Sequence, residues 1–124
     1  MAGELREEKL LEKLRAFCLA LPETSETDSF GHPNFRAGKR TFAVYEHYKG
    51  RASLAVKLPR ADGQALLSDP RFYVTPYSGK HGWVSLWVDE PVSWKLVEDL
   101  VLESYREEAL KRMLAALDRA RGKD

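Results

Sequence analysis

The sequence predicts an α+β fold: two layers, with one antiparallel sheet of about five strands and helices at the N-terminal and C-terminal ends. Three observations carry this. Apolar residues recur at three- and four-residue steps near both ends, they alternate in the middle, and hairpin-length links join the alternating runs. Strands bunched between terminal helices argue for an antiparallel layer rather than βαβ units. The 124 residues fit one domain, 1–124.

The first helix is expected from about Gly3 to Ala20, where Leu10, Leu11, Leu14, Phe17, Cys18 and Leu21 form one apolar stripe ended by Pro22. Thr24 to Ser29 reads as a polar link leading to an extended piece near Ser29 and Phe30. Gly31-His32-Pro33 then breaks the chain. Asn34–Ala37 and Arg40–Tyr45 flank Gly38-Lys39, a hairpin turn, and Lys49-Gly50 marks a second turn. Arg51 to Leu58 alternates, with Ala52, Leu54, Val56 and Leu58 on one face and Arg51, Ser53, Ala55 and Lys57 on the other. Ala61 to Leu67 is a short helix that stops before Ser68-Asp69-Pro70. Phe72 and Val74, then Val84, Leu86 and Val88, mark two strands joined by a long loop, Pro76 to Gly82. Ser93 suits the N-cap of a helix carrying Trp94, Val97, Leu100, Val101, Ser104 and Tyr105. The apolar phase slips near Arg106 to Glu108 and resumes at Leu110, so the tail is one bent helix or two helices.

Composition narrows the class. With 44% hydrophobic and 31% charged residues the chain is globular rather than disordered. No apolar run approaches the ~20 residues of a membrane span. An acidic, amphipathic start and a single cysteine make the cytosol the expected compartment. A monomer is the expected state. The absence of Ile and the scarcity of Asn and Gln fit a thermophile, although codon bias alone produces much the same pattern. Net charge is +1, but residues 32–81 carry +6 while 1–31 carry −3 and 82–124 carry −2. Folding decides whether the middle makes a basic face or mixes with the acidic ends.

If Leu54, Val56, Phe72, Val74, Val84 and Leu86 face the helices, then Arg51, Ser53, Lys57, Arg71, Tyr73, Trp83, Ser85 and Trp87 face away. Strand 40–48 is expected to add Tyr45 and His47. Such a mixture of rings and cations suits a partner surface, and rings stacking on bases beside cations on phosphates suit nucleic acid. The competing reading encloses both tryptophans in a core.

Catalytic chemistry is thin, and no enzyme activity, cofactor or metal is expected. His32, His47 and His81 lack metal-ligand spacing. Cys18 lies on the apolar stripe, as an inert packed thiol does. No G-x-S-x-G elbow occurs. Ser78-Gly79-Lys80-His81-Gly82 looks like half a phosphate loop without Walker spacing; its amides suit either an anion-binding nest or an ordinary loop. Glu23, Glu26 and Asp28 are either a carboxylate pair in waiting or solvated acids.

Several segments together resemble the MmcQ/YjbR-like family: Cys18–Thr24, Phe30–Arg36, Gly38–Ala43, Leu54–Leu58, Phe72–Tyr77, Gly82-Trp83-Val84 and Ser104-Tyr105, in order over about residues 10–108. The resemblance implies a small cytosolic bacterial protein with an antiparallel sheet and flanking helices, similar to CyaY-like and secretion-chaperone-like folds. It also implies a DNA-binding "double wing", a label resting on fold analogy. It carries over no catalytic residues. Three functions follow. A DNA-binding module would use Arg36, Lys39, Arg40, Arg51, Lys57, Arg71 and Lys80 on phosphates, with hairpin tips as wings. A protein-interaction or chaperone-like module would use the aromatic face. A small-ligand binder would hold a pocket around His32, Lys57, Tyr77, His81 and Trp83.

Overall fold

A computed structural model describes residues 4–122. The elements run β1 (Glu4–Leu5), α1 (Glu7–Leu19), β2 (Thr24–Ser29), β3 (His32–Ala37), β4 (Arg40–Tyr48), β5 (Arg51–Lys57), α2 (Arg60–Leu66), β6 (Phe72–Val74), a 3-10 turn (Gly79–His81), β7 (Trp83–Trp87), β8 (Val92–Ser93), α3 (Trp94–Glu108) and α4 (Lys111–Ala120). Six strands form the main antiparallel sheet in the order β2-β3-β4-β5-β7-β6, and β1 pairs with β8 in a separate two-stranded sheet. Helix α1 starts at Glu7 rather than near Gly3, because Glu4 and Leu5 are extended against Ser93 and Val92. The expected start at Gly3 lies outside the described residues.

Helices α1, α3 and α4 cover one sheet face. Leu10, Leu14 and Cys18 meet Val97, Val101, Tyr105, Met113 and Leu117 over Phe35, Leu54 and Leu86, all buried. Tyr105 packs edge-to-face on Phe42 with centroids 5.3 Å apart, an arrangement worth about 0.5–1.5 kcal/mol beyond burial. Burial also pushes the Cys18 thiol far above its ordinary range, so it stays protonated and inert, as its place in the stripe predicts.

The sixth strand is β2, in the stretch the sequence reads as a link. Its residues Thr-Ser-Glu-Thr-Asp-Ser lie at the sheet edge and bury no apolar face, so the usual alternation is absent. The phase of β4 also differs from expectation. A bulge opposite Phe35 and Arg36 places both Phe42 and Ala43 inward. Tyr45, opposite Leu54, therefore faces the helices at 5% exposure, His47 shares that side, and Val44, Glu46 and Tyr48 take the free face.

The Ser104-Tyr105 pair joins the two layers. The β4–β5 ladder ends at Ala43 and Val56. At the next pair the Ser104 hydroxyl donates to Phe42 O (2.6 Å) and accepts from Lys57 N (2.9 Å). The Tyr105 hydroxyl donates to Pro22 O at 2.7 Å, tying α3 to the end of α1. Thr24 closes α1 by donating to Cys18 O and Leu21 O. The phase slip after Arg106 is a true break: Ala109 is extended, and α4 is a separate helix. Met113 of α4 packs so close to the β3–β4 turn that a Cβ on Gly38 would lie 2.9 Å from its Cε.

Candidate functional site

The sheet face opposite the helices is concave and holds a cavity of about 430 Å³. Its walls include Asn34, Val44, Glu46, Tyr48, Thr75, Tyr77 and Trp83, drawn from β3, β4, β7 and the loop after β6. The volume lies within the ~300–1,000 Å³ of small-molecule sites. Beneath the aromatic residues lies a band of buried hydroxyls. Ser53 and Ser85 are fully buried, Ser53 Oγ lies 2.8 Å from Tyr73 Oη, and Thr75 Oγ1 lies 2.8 Å from Ser85 Oγ. Tyr48, Tyr73 and Trp87 stack over one end of this band, with Tyr73 and Trp87 centroids 4.2 Å apart and the Arg51 guanidinium 4.0 Å from the Trp87 ring centre. Trp83 and Trp87 are thus half-buried, neither enclosed by a helix nor fully open.

Glu46 is the one carboxylate among the described lining residues. Burial lifts its carboxyl above the usual range, and neighbouring His32 draws it partly back. Glu46 makes no side-chain hydrogen bond among the described residues. A carboxyl with a raised folded pKa keeps its proton longer when folded than when unfolded, so its contribution to stability falls as pH rises from 4.5 through the folded pKa. Glu46→Gln is therefore expected to raise the urea midpoint at pH 7 and to flatten this decline, as a chemical denaturation series across pH would record. An unchanged pH profile would refute the placement of this carboxyl.

Register sorts the cations expected to bind nucleic acid to the two ends of the sheet. Arg36 opposes Thr41, Lys57 opposes Trp83, Lys39 and Arg40 form and follow the β3–β4 turn, and Lys80 precedes β7. These five share the end where the cavity reaches Thr41 and Trp83. Arg51 and Arg71 lie at the other end. Four of the seven are paired with acids. Arg51 forks onto Asp89, and Arg71 onto Asp69, each holding its partner's carboxyl below the usual range. Arg40 and Lys57 share the buried Glu108, at 3.2 and 2.7 Å. Arg36, Lys39 and Lys80 have no carboxylate partner among the described residues, and the Arg36 Nε is buried without a hydrogen bond.

Of the residues expected to form a pocket, Tyr77 and Trp83 line the cavity. His32 stands beside it, near Glu46. His81 is exposed in the 3-10 turn and does not line the cavity. The three acids Glu23, Glu26 and Asp28 do not pair with one another. Glu23 binds Arg112, Glu26 binds Arg15, and Asp28 accepts from Gly31 N. No cluster of three or more His, Cys, Asp or Glu able to hold a metal occurs among the described residues. Glu46 and Asn34 were not singled out from the sequence. The bulge that sets the phase of β4 is what brings Glu46 to the free face.

This architecture, a six-stranded antiparallel sheet with helices on one side, defines the class of protein. The YjbR family model matches residues 19–107, and the chain belongs to that family. Helix α4 lies beyond the matched segment. The fold is similar to that in the crystal structure of the Deinococcus radiodurans protein DR2400, which has a DUF419 domain. The TM-score is 0.64 at 24% identity, over 77% of this chain and 75% of that one. No curated protein matches. No helix among the described residues is long and apolar enough to cross a membrane.

Proposed function

We propose that this protein is a binding module, without turnover, for single-stranded nucleic acid, with the concave sheet face as its site. The supporting observation is the placing of Arg36 and Lys39, both without acid partners among the described residues, at the end where the cavity reaches Thr41 and Trp83. Unstacked bases enter beside Trp83, Tyr77 and Tyr48, and phosphates meet the cations at the rim. The Glu46 carboxylate and the Asn34 carbonyl oxygen, left open because the Asn34 amide donates to His32 O, can accept hydrogen bonds from base N–H groups. Duplex DNA keeps its bases stacked and offers the site phosphates only, so single strands are preferred. The small net charge of +1 implies modest affinity and a shallow salt dependence.

Anisotropy titration of a labelled thymidine oligonucleotide and of a duplex of equal length, at low and near-physiological salt, tests this. The single strand is expected to bind more tightly than the duplex and to lose affinity with salt. Joint Arg36→Ala and Lys39→Ala substitution is expected to weaken binding about tenfold. No binding of either form at low salt would rule the reading out. A protein partner is the second reading, favoured by the nearly full exposure of Phe30 and Tyr77 (98% each). It predicts capture of a partner that survives nuclease treatment.

A further inference from the structure

A second cavity, of about 320 Å³, lies between α2 and the 3-10 turn. Arg60, Gln64 and Lys80 supply its polar groups, and Leu67, Val74 and Val84 supply an apolar wall. Three features set it apart from an ordinary surface dent.

First, its cations are unpaired. Six arginines of the chain (Arg15, Arg40, Arg51, Arg71, Arg106 and Arg112) each hold a carboxylate. Arg60 and Lys80 have no such partner among the described residues. The nearest acid on α2, Asp62, turns to Glu103 of α3, whose carboxyl is raised chiefly by that contact.

Second, the wall is apolar but open. Val74 is 55% exposed although it sits in a strand beside the buried Val84. Val74 continues the apolar wall of Leu67 and Val84, so apolar and cationic surface meet within one cavity.

Third, the Gly79-Lys80-His81-Gly82 stretch, whose composition resembles half a phosphate loop, forms one side of this cavity. Gly79 packs so tightly on Val74 that a Cβ there would collide with the valine side chain. Gly82 has φ +94, and a Cβ on it would lie 3.0 Å from Leu58 O. The turn is therefore held firmly against β6 and β5, with Lys80 at the cavity.

From these we infer that the cavity between α2 and the 3-10 turn binds a small amphipathic anion, an apolar chain or ring ending in a phosphate or carboxylate. The apolar part covers Val74, Val84 and Leu67, and the anionic head sits between Arg60 and Lys80. This site adjoins the base-binding face, since Trp83 borders both cavities, but it lies on the α2 side and does not require that face.

Octyl phosphate is a suitable probe, with octanol and octylamine as neutral and cationic comparators. Amide shifts of the intact protein would be followed by two-dimensional NMR. Gly63, Gly79 and Gly82 report on the cavity, and Gly31 and Gly50, at distant turns, serve as controls. Octyl phosphate is expected to move the first three and leave the controls still. Octanol and octylamine are expected to bind at least tenfold more weakly. Arg60→Gln with Lys80→Gln, both at exposed positions, should keep the spectrum folded and cut octyl phosphate affinity about tenfold. Three results would overturn the inference: no shift at the cavity glycines, equal affinity for octanol, or unchanged affinity in the double variant. Displacement of bound octyl phosphate by the oligonucleotide would make the two a single site and overturn the inference of a second one.

Discussion

Ser104→Ala is expected to destabilise the fold by about 3 kcal/mol, as read from urea denaturation. The side chain loses one oxygen, a small change in volume. The cost comes from the backbone. That oxygen bridges Phe42 O and Lys57 N where β4 and β5 have stopped pairing directly. Removing it leaves a carbonyl beside the fully buried Phe42 and an amide at the strand end without partners, each costing roughly 1–3 kcal/mol. If the strands instead close and pair Lys57 N with Phe42 O, the loss will be under ~1 kcal/mol, and the hydroxyl is a filler rather than a bridge. The same bridge explains why a serine followed by a tyrosine belongs at this point of α3. The first residue enters the gap in the ladder, and the second reaches Pro22 and packs on Phe42.

Lys57→Met is expected to cost about 3 kcal/mol, the lower end for breaking a buried ion pair, because Lys57 itself is 31% exposed. Its partner Glu108 is only 5% exposed and would keep just the 3.2 Å contact with Arg40. Replacing both Lys57 and Glu108 by Met is expected to recover much of the loss, since an apolar pair of similar volume leaves no buried charge unmatched. A loss below ~0.5 kcal/mol in the single variant would mean that the pair behaves as a solvated surface bridge. The variant also bears on binding. Lys57 already serves Glu108, so its loss should weaken oligonucleotide binding far less than the loss of Arg36 and Lys39.

The elements whose apolar residues keep one unbroken period are legible in the sequence. The stripe of α1, the alternation of β5, the Ser93 cap and the break before α4 all follow from spacing, because each pattern has a single physical reading. The failures occur where two patterns look alike. A six-residue polar strand on an edge has the composition of a loop, so β2 is visible only through its pairing with β3. On β4, a bulge adds one inward residue at Phe42-Ala43 and reverses every later side chain, which moves Tyr45 inward and Glu46 outward. The site suffered most from this, since its one carboxylate depends on that phase. The sequence allows the free face to be either open or enclosed. It is neither, because Tyr48, Tyr73 and Trp87 lie over the serines beneath them and shield them without a second layer. Sequence spacing places the cations along the chain, but their acid partners Asp89, Asp69 and Glu108 come from other elements and only folding supplies them.

The two outermost strands give a foreign chain little to align with. One flank, β2, offers hydroxyls and carboxylates along its whole length, and the other, β6, ends after three residues. A sheet finished this way resists growth by strand addition, which is the usual route from a folded β-protein to a fibril.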